Sequence, residues 1–339
     1  MNSAEISFIR GLIEKVNGEG YNQAFVNIGE YLIVQTDALI NREYNINGFS
    51  ETLFAIEDNF PTHKLIFTCR DGVNLKLSGV EDLIEQLALT RPTNHCFVQS
   101  HNITNIPNTT HLPLPVSYNF LYMCYDRLRN YPISSNSFNK KFAGMYSRHD
   151  LYRLRLFRHL YTNYADDSIL SYRVDPTPYM NFNYLNSYLI DKEWAGRNCP
   201  VRFDPLTEEE LVGPYDALGT IGNHYEKYFI EIVSETDPNA AEFLTEKTMK
   251  NFWLGKPFLL MAGTGALAFL QSLGFRTFAP FIDESYDTIP NSYKRLCAIQ
   301  NEIDRLSKLT YDELKEIHHN LTTVFEHNRQ LVNEQYSNS

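Results

Sequence analysis

Residues 227–274, KYFIEIVSETDPNAAEFLTEKTMKNFWLGKPFLLMAGTGALAFLQSLG, decide the fold. An apolar run, KYFIEIVSET, leads to TEKTMKNFWL, in which Met249, Phe252 and Trp253 recur at helical spacing. A second apolar run, PFLLMA, leads to a second helical segment, ALAFLQSL, and FRTF reads as a last short strand. Gly255 and Gly274 stand where a helix C-terminus takes a left-handed residue. Thr245 is placed as an N-cap. Strands alternating with helices predict a parallel sheet.

Upstream of this run, KFAGMY reads as a strand and residues 150–161 as a helix with Leu151, Leu154, Phe157 and Leu160 along one side. Residues 172–220, rich in Tyr, Asn and Pro, are less regular. The first 125 residues give a helix near residues 6–16 and strands AFVNIG, YLIVQT, KLIFTC and HCFVQS. Between the last two lies the helix VEDLIEQLAL, with Leu83, Leu87 and Leu89 near one face. Residues 102–115 and 130–139 are turn-rich and bracket the expected linker, with the domain boundary at about residue 130. After Asn291 a polar helical segment, broken near Leu309, carries Ile299, Ile303, Leu306, Leu314, Ile317, Leu321 and Val324 as an apolar stripe. The expected architecture is α/β with two Rossmann-like units: residues 1–130, residues 131–290, and closing helices in residues 291–339.

The 339 residues suffice for two cores, and 43% of them are hydrophobic. No stretch reaches the apolar length of a membrane span, and the first residues lack a signal-peptide core, so a cytoplasmic protein is expected. Cys69, Cys96, Cys124, Cys199 and Cys297 show no metal or disulfide spacing. A net charge of −11 disfavours nonspecific nucleic-acid binding. Lys140, Lys141, Arg148, Arg153, Arg155 and Arg158 form a basic cluster that suggests an anion nearby.

Ligands of parallel sheets bind beyond the carboxyl ends of the strands. Three sequence features fall there: Ser234-Glu235-Thr236, Thr245-Glu246-Lys247-Thr248 and Gly263-Thr264-Gly265. Lys247 opposes the positive end of its helix, which is favourable if a phosphate lies there. Gly263-x-Gly265-x-x-Ala268, with Asp283 further on, formally satisfies a dinucleotide fingerprint, but the chain after it is too short for the remaining βαβ units.

The segment 228–289, with Glu235-Thr236, Thr245-Glu246-Lys247-Thr248, Gly255-Lys256-Pro257-Phe258, Leu273-Gly274-Phe275 and Asp283-Glu284-Ser285-Tyr286-Asp287, resembles GT-B glycosyltransferase-like proteins of phages, large viruses and bacteria. Their donor module is similar to that of α1,3-fucosyltransferases and exostosins. The resemblance extends more weakly through Lys141-Phe142 to Arg153, and the N-terminal half carries none. It implies two α/β domains facing a cleft, with a C-terminal helix crossing back to the N-terminal domain. It further implies that Glu246 bonds the donor ribose, that Lys247 bonds the diphosphate, and that Arg148 or Arg153 neutralises the leaving group. Thr248 and the extra Glu235-Thr236 depart from the fucosyltransferase pattern and leave the donor base, uracil or guanine, open.

The expected activity is therefore metal-independent, inverting transfer from a UDP- or GDP-sugar to a hydroxyl on a glycan, a protein or a hydroxymethylated pyrimidine of phage DNA. No Asp-x-Asp pair occurs in a strand-end loop, and no cofactor or metal is called for. Asp71 and His101, each following a strand, are the expected catalytic bases. The donor set Arg148, Arg153, Glu235, Thr236, Glu246, Lys247, Thr248 and Gly263 is also compatible with two other classes. One is a non-catalytic nucleotide-sugar or glycan-binding domain; the other is a dinucleotide-dependent oxidoreductase.

Overall fold

A computed structural model describes residues 25–35, 49–68, 80–92, 95–100, 106–113, 128, 130–146, 150–172, 194, 197–198, 224–235, 241, 244–279 and 281–337. The chain divides into two compact units, Met1–Pro115 and Val116–Ser339. Among the described residues no helix is long and apolar enough to cross a membrane.

In the first unit, β1 (Phe25–Ile28) and β2 (Tyr31–Gln35) form an antiparallel hairpin. Gly29 makes its turn possible with φ +62°. β3 (Lys64–Thr68), β4 (Cys96–Ser100) and β5 (Thr110–Pro113) then add in parallel, giving the order β1-β2-β3-β4-β5. α1 (Phe49–Asn59) and α2 (Val80–Leu89) supply the crossovers. One sheet face carries Leu32, Val34, Leu65, Phe67, Cys96 and Val98, packed with Ile56, Leu83, Ile84 and Leu87. Tyr31, Ile33, Ile66 and Phe97 occupy the other face.

Two expectations need correction in this unit. Leu89 does not join Leu83 and Leu87 in the core; it is 69% exposed, two positions past Leu87 and so rotated off the buried stripe. Residues 110–113, read as part of a turn-rich stretch, form the edge strand β5, in register with β4 from Phe97↔Thr110 to Ser100↔Pro113. Proline is tolerated at that edge. The helix expected near residues 6–16 lies outside the described residues.

The second unit holds β6 (Lys140–Tyr146), β7 (Ser168–Tyr172), β8 (Tyr228–Ser234) and β9 (Phe258–Met261), all parallel in the order β7-β6-β8-β9. α3 (Leu151–Tyr164) connects β6 to β7, and α4 (Glu246–Leu254) connects β8 to β9. Asp150 caps α3, its carboxylate accepting from the Arg153 N–H at 2.8 Å. Thr245 caps α4 as its type predicts, and Gly255 ends it at φ +66°. Gly274, at φ +93°, follows α5 (Ala266–Ser272).

FRTF, residues 275–278, is not a strand. The fully buried Asn328 side chain takes the place of a neighbouring strand there, accepting from the Arg276 N–H and donating to its carbonyl, both at 2.8 Å. The closing segment forms α6 (Ser292–Ser307), α7 (Tyr311–Asn320) and α8 (Thr322–Ser337), with the first break at Lys308–Thr310 as the sequence suggests. Their buried residues Leu296, Ile299, Ile303, Leu306, Leu314, Leu321, Phe325 and Val332 belong to the same core as β6–β9. α6 packs on α3 and β9, and α8 on α4. Residues of the 130–139 stretch also join this unit, the Ser134 N–H donating to the Leu254 carbonyl at 2.8 Å. Both units are thus α/β, the first with a mostly parallel sheet edged by an antiparallel hairpin and the second with an all-parallel sheet.

Candidate functional site

From β6 the chain moves outward through α3 to β7, then returns to place β8 on the other side of β6. That reversal is the topological switch point of the second sheet, between the carboxyl ends of β6 and β8, the position at which open parallel sheets receive ligands. Ser234 ends β8 there, Glu235 follows it, and the first turn of α4 stands beside them because Glu235 holds it.

Glu235 is fully buried. Its carboxylate accepts from the Thr245 N–H at 3.0 Å, from the Thr245 hydroxyl at 2.6 Å and from the Thr248 hydroxyl at 2.6 Å. Burial of a charged carboxylate requires such donors. Thr248 is also fully buried, so Glu235 and Thr248 fasten the strand end to the helix start.

Lys247 is on the same turn. Its ammonium lies 3.2 Å from Glu246 and 3.7 Å from Glu235, and donates to the Thr245 hydroxyl at 3.0 Å. Two carboxylates therefore offset the cost of a cation at the positive end of α4. Both Lys247 and Glu246 keep partly exposed side chains. Burial pushes the Glu246 carboxyl up, but the Lys247 ammonium and a backbone N–H outweigh it and leave the group below its ordinary value.

Arg153 is buried against the end of β8. Its guanidinium donates to the Ser234 carbonyl at 3.1 Å and pairs with Asp150 at 3.0 Å, tying α3 to β8. The Ser234 hydroxyl is buried and has no hydrogen-bond partner among the described residues. Of the expected residues, the structure brings together Glu235, Glu246, Lys247 and Thr248, with Arg153 across the same strand end. Asp71, His101, Arg148 and Thr236 lie outside the described residues.

Gly263 opens the loop after β9, its carbonyl accepting from the Ala266 N–H at 3.2 Å. Gly265 takes φ +83°. Asp287 fills the start of α5, its carboxylate accepting from the Leu267 N–H at 3.1 Å and the Ala268 N–H at 3.2 Å. A dinucleotide pyrophosphate would need those same donors. Asp283, the acidic residue of that fingerprint, accepts from the Ser285 N–H at 2.9 Å in a local turn.

Among the described residues, the basic cluster does not converge on one anion. Lys140 donates to the Asp166 carbonyl, and Lys141 donates to the Ser307 carbonyl at 2.6 Å. Arg155 stacks 5.1 Å from the Tyr293 ring centre and Arg158 5.6 Å from that of Trp194. Spacing along a strand and then a helix scatters these cations over several faces, which linear proximity concealed. Sequence reading named Ser234 and Asp287 only as members of their segments, without a role for either, and missed Asp150 as a cap; of these, only Asp150, an Asp before a helix, carried a visible capping signal.

No protein-family model, curated protein or solved structure matches the chain.

Proposed function

We propose that the protein is a glycosyltransferase whose second unit binds a nucleotide-diphosphate sugar at the carboxyl edge of β6 and β8. The observation that carries this reading is the switch point itself. A partly exposed carboxylate–ammonium pair, Glu246 and Lys247, stands on a rigidly fastened helix start there, beside the buried Ser234 hydroxyl. A carboxylate held ionised by an adjacent lysine is a suitable acceptor for sugar hydroxyls. Fastening through Glu235, Thr245 and Thr248 supplies the preorganisation that donor positioning needs. The sequence resemblance over residues 228–289 supports the same class, a GT-B enzyme using a UDP- or GDP-sugar without a metal.

In this reading an acceptor hydroxyl on a glycan, protein or modified DNA pyrimidine attacks the anomeric carbon. The bond to the nucleotide diphosphate breaks with inversion, and Asp71 or His101 takes the acceptor proton. The Asp287 carboxylate on α5 and the local engagement of Asp283 count against the oxidoreductase alternative.

The test is a thermal-shift panel of UDP, GDP, CMP and dTDP sugars, since a ligand that binds the native state raises its melting temperature. The expected result is a shift with one nucleotide class, lost in Glu246→Ala and Lys247→Ala variants that retain wild-type circular dichroism. Absence of a shift with every donor, or an unchanged shift in both variants, overturns the assignment. EDTA is expected to leave transfer unchanged.

A further inference from the structure

The start of α4 has the donors of an anion site, but an anion of the chain's own already sits on them. Glu235 accepts from the Thr245 N–H, the Thr245 hydroxyl and the Thr248 hydroxyl, and it lies 3.7 Å from the Lys247 ammonium. Glu246 lies 3.2 Å from that same ammonium. Glu235, Glu246 and Lys247 together carry one net negative charge, so a phosphate set against this turn would meet occupied donors and a like charge. The Glu246 carboxylate retains acceptor capacity, and beside this turn the Ser234 hydroxyl is buried and unpartnered among the described residues. The carboxylate is satisfied by hydroxyl donors and repels another anion, and the Ser234 hydroxyl can serve a ligand oxygen as donor or acceptor.

We propose that Glu235 is a specificity-determining residue. By filling the anion seat of α4, it makes this end of the site receive the vicinal hydroxyls of the donor's ribose, against Glu246, and refuse phosphate. The diphosphate then lies away from the first turn of α4, and Lys247 acts as a positioning residue for Glu246 rather than as the diphosphate ligand. The assignment rests on the donor reading above, but its phosphate arm can be measured without any nucleotide.

The experiment uses the full chain and three probes: uridine or guanosine, the corresponding 2′,3′-dideoxynucleoside, and inorganic phosphate. In the wild type, the nucleoside is expected to raise the melting temperature, the dideoxynucleoside to leave it unchanged, and phosphate neither to raise it nor to displace the nucleoside. In Glu235→Gln, which removes the charge and keeps the shape, phosphate affinity is expected to rise by at least roughly fivefold. Equal binding of the two nucleosides, displacement by phosphate in the wild type, or no gain of phosphate affinity in folded Glu235→Gln each overturns the proposal. Should Glu235→Gln fail to fold, the two wild-type comparisons still decide. If nucleotide sugars bind and phosphate competes with them, the donor reading stands and this assignment falls. If no nucleoside or nucleotide sugar binds while phosphate is refused by the wild type and taken by Glu235→Gln, the donor reading falls and the role of Glu235 in excluding phosphate stands.

Discussion

Glu231 on β8 and Lys250 on α4 meet at 2.6 Å with each side chain 4% exposed, so a buried ion pair joins the strand and the helix that build the candidate site. The Tyr228 hydroxyl donates to the other oxygen of Glu231 at 3.4 Å. The pair forms because helical spacing along α4 turns Lys250 inward, where only an opposite charge makes burial of the ammonium tolerable.

Removing one partner is expected to be far worse than removing both. Lys250→Met leaves the Glu231 carboxylate buried without its cation, with an expected loss of about 3–5 kcal/mol, whereas Lys250→Met combined with Glu231→Leu loses much less. Urea unfolding of the two variants checks this. A single variant as stable as the double would show that the ion pair does not hold β8 and α4 together.

Lys256 gives a stability that grows with pH. It is fully buried, donates to the Tyr228 carbonyl at 2.5 Å and lies 4.9 Å from the Tyr228 ring centre. Burial lowers its ammonium from 10.5 to about 7, although Glu226 and Glu231 pull the other way. Between those values the unfolded chain binds a proton that the folded chain has released, so this group makes stability rise from pH 7 towards 10.5. Melting temperatures across that range should climb more steeply for the wild type than for Lys256→Met. Parallel curves would contradict the assignment.

In the second sheet β6, β8 and β9 were legible from the order of their elements, whereas the edge strand β7 was not read and residues 275–278 were read as a strand they do not form; the first sheet was legible except at its edge. Apolar runs at β8 and β9, the Thr245 cap and the two helix-ending glycines each carry a local signal, and the structure places each where that signal points. β5 was hidden because THLP has neither alternation nor an apolar run; its backbone pairing with β4 supplies what its side chains do not advertise. The Asn328 side chain, which completes residues 275–278, acts across 52 positions of sequence and has no local signature. The same holds within the site. Glu235 was read as a donor-site residue after a strand, and only the fold shows that it is buried and spent on the Thr245 and Thr248 hydroxyls.

His318 should act on the acid side. Burial, followed by the nearby Lys256 charge, lowers its imidazole from 6.5 to about 4. One ring nitrogen lies 3.0 Å from the Ser134 hydroxyl, which itself donates to the Gly255 carbonyl at 2.7 Å. Below pH 6.5 the unfolded chain takes up a proton that the folded chain refuses until about pH 4, so stability falls as pH falls through that window. His318→Gln, which keeps a partner for Ser134, is expected to flatten the decline between pH 6.5 and 4 in denaturant titrations. An unchanged slope would place the acid sensitivity elsewhere.

The last prediction concerns the closing helices. Their apolar stripe was expected to serve a crossover to the N-terminal domain, yet the structure places its buried residues in the core of the second unit. Leu296, Ile299, Ile303 and Leu306 of α6 lie in that core, as do Leu314 of α7 and Phe325 and Val332 of α8. Phe325 packs 6.5 Å from Phe278 and 5.0 Å from His318, ring centre to ring centre. Burial of each such side chain stabilises by roughly 1.5–3 kcal/mol, so their joint loss matches or exceeds the net stability of an ordinary domain. Truncation after Tyr293 is therefore expected to unfold the second unit and abolish donor binding, although Glu235, Glu246 and Lys247 all remain in the chain. The first unit has its own cores on both faces of its sheet, and its circular dichroism signal should survive. A milder variant grades the claim: Phe325→Ala should cost about 3–5 kcal/mol in urea unfolding while leaving donor affinity intact below the transition. A truncated chain that still binds a nucleotide sugar would mean that β6–β9 with α3–α5 hold the site without these helices.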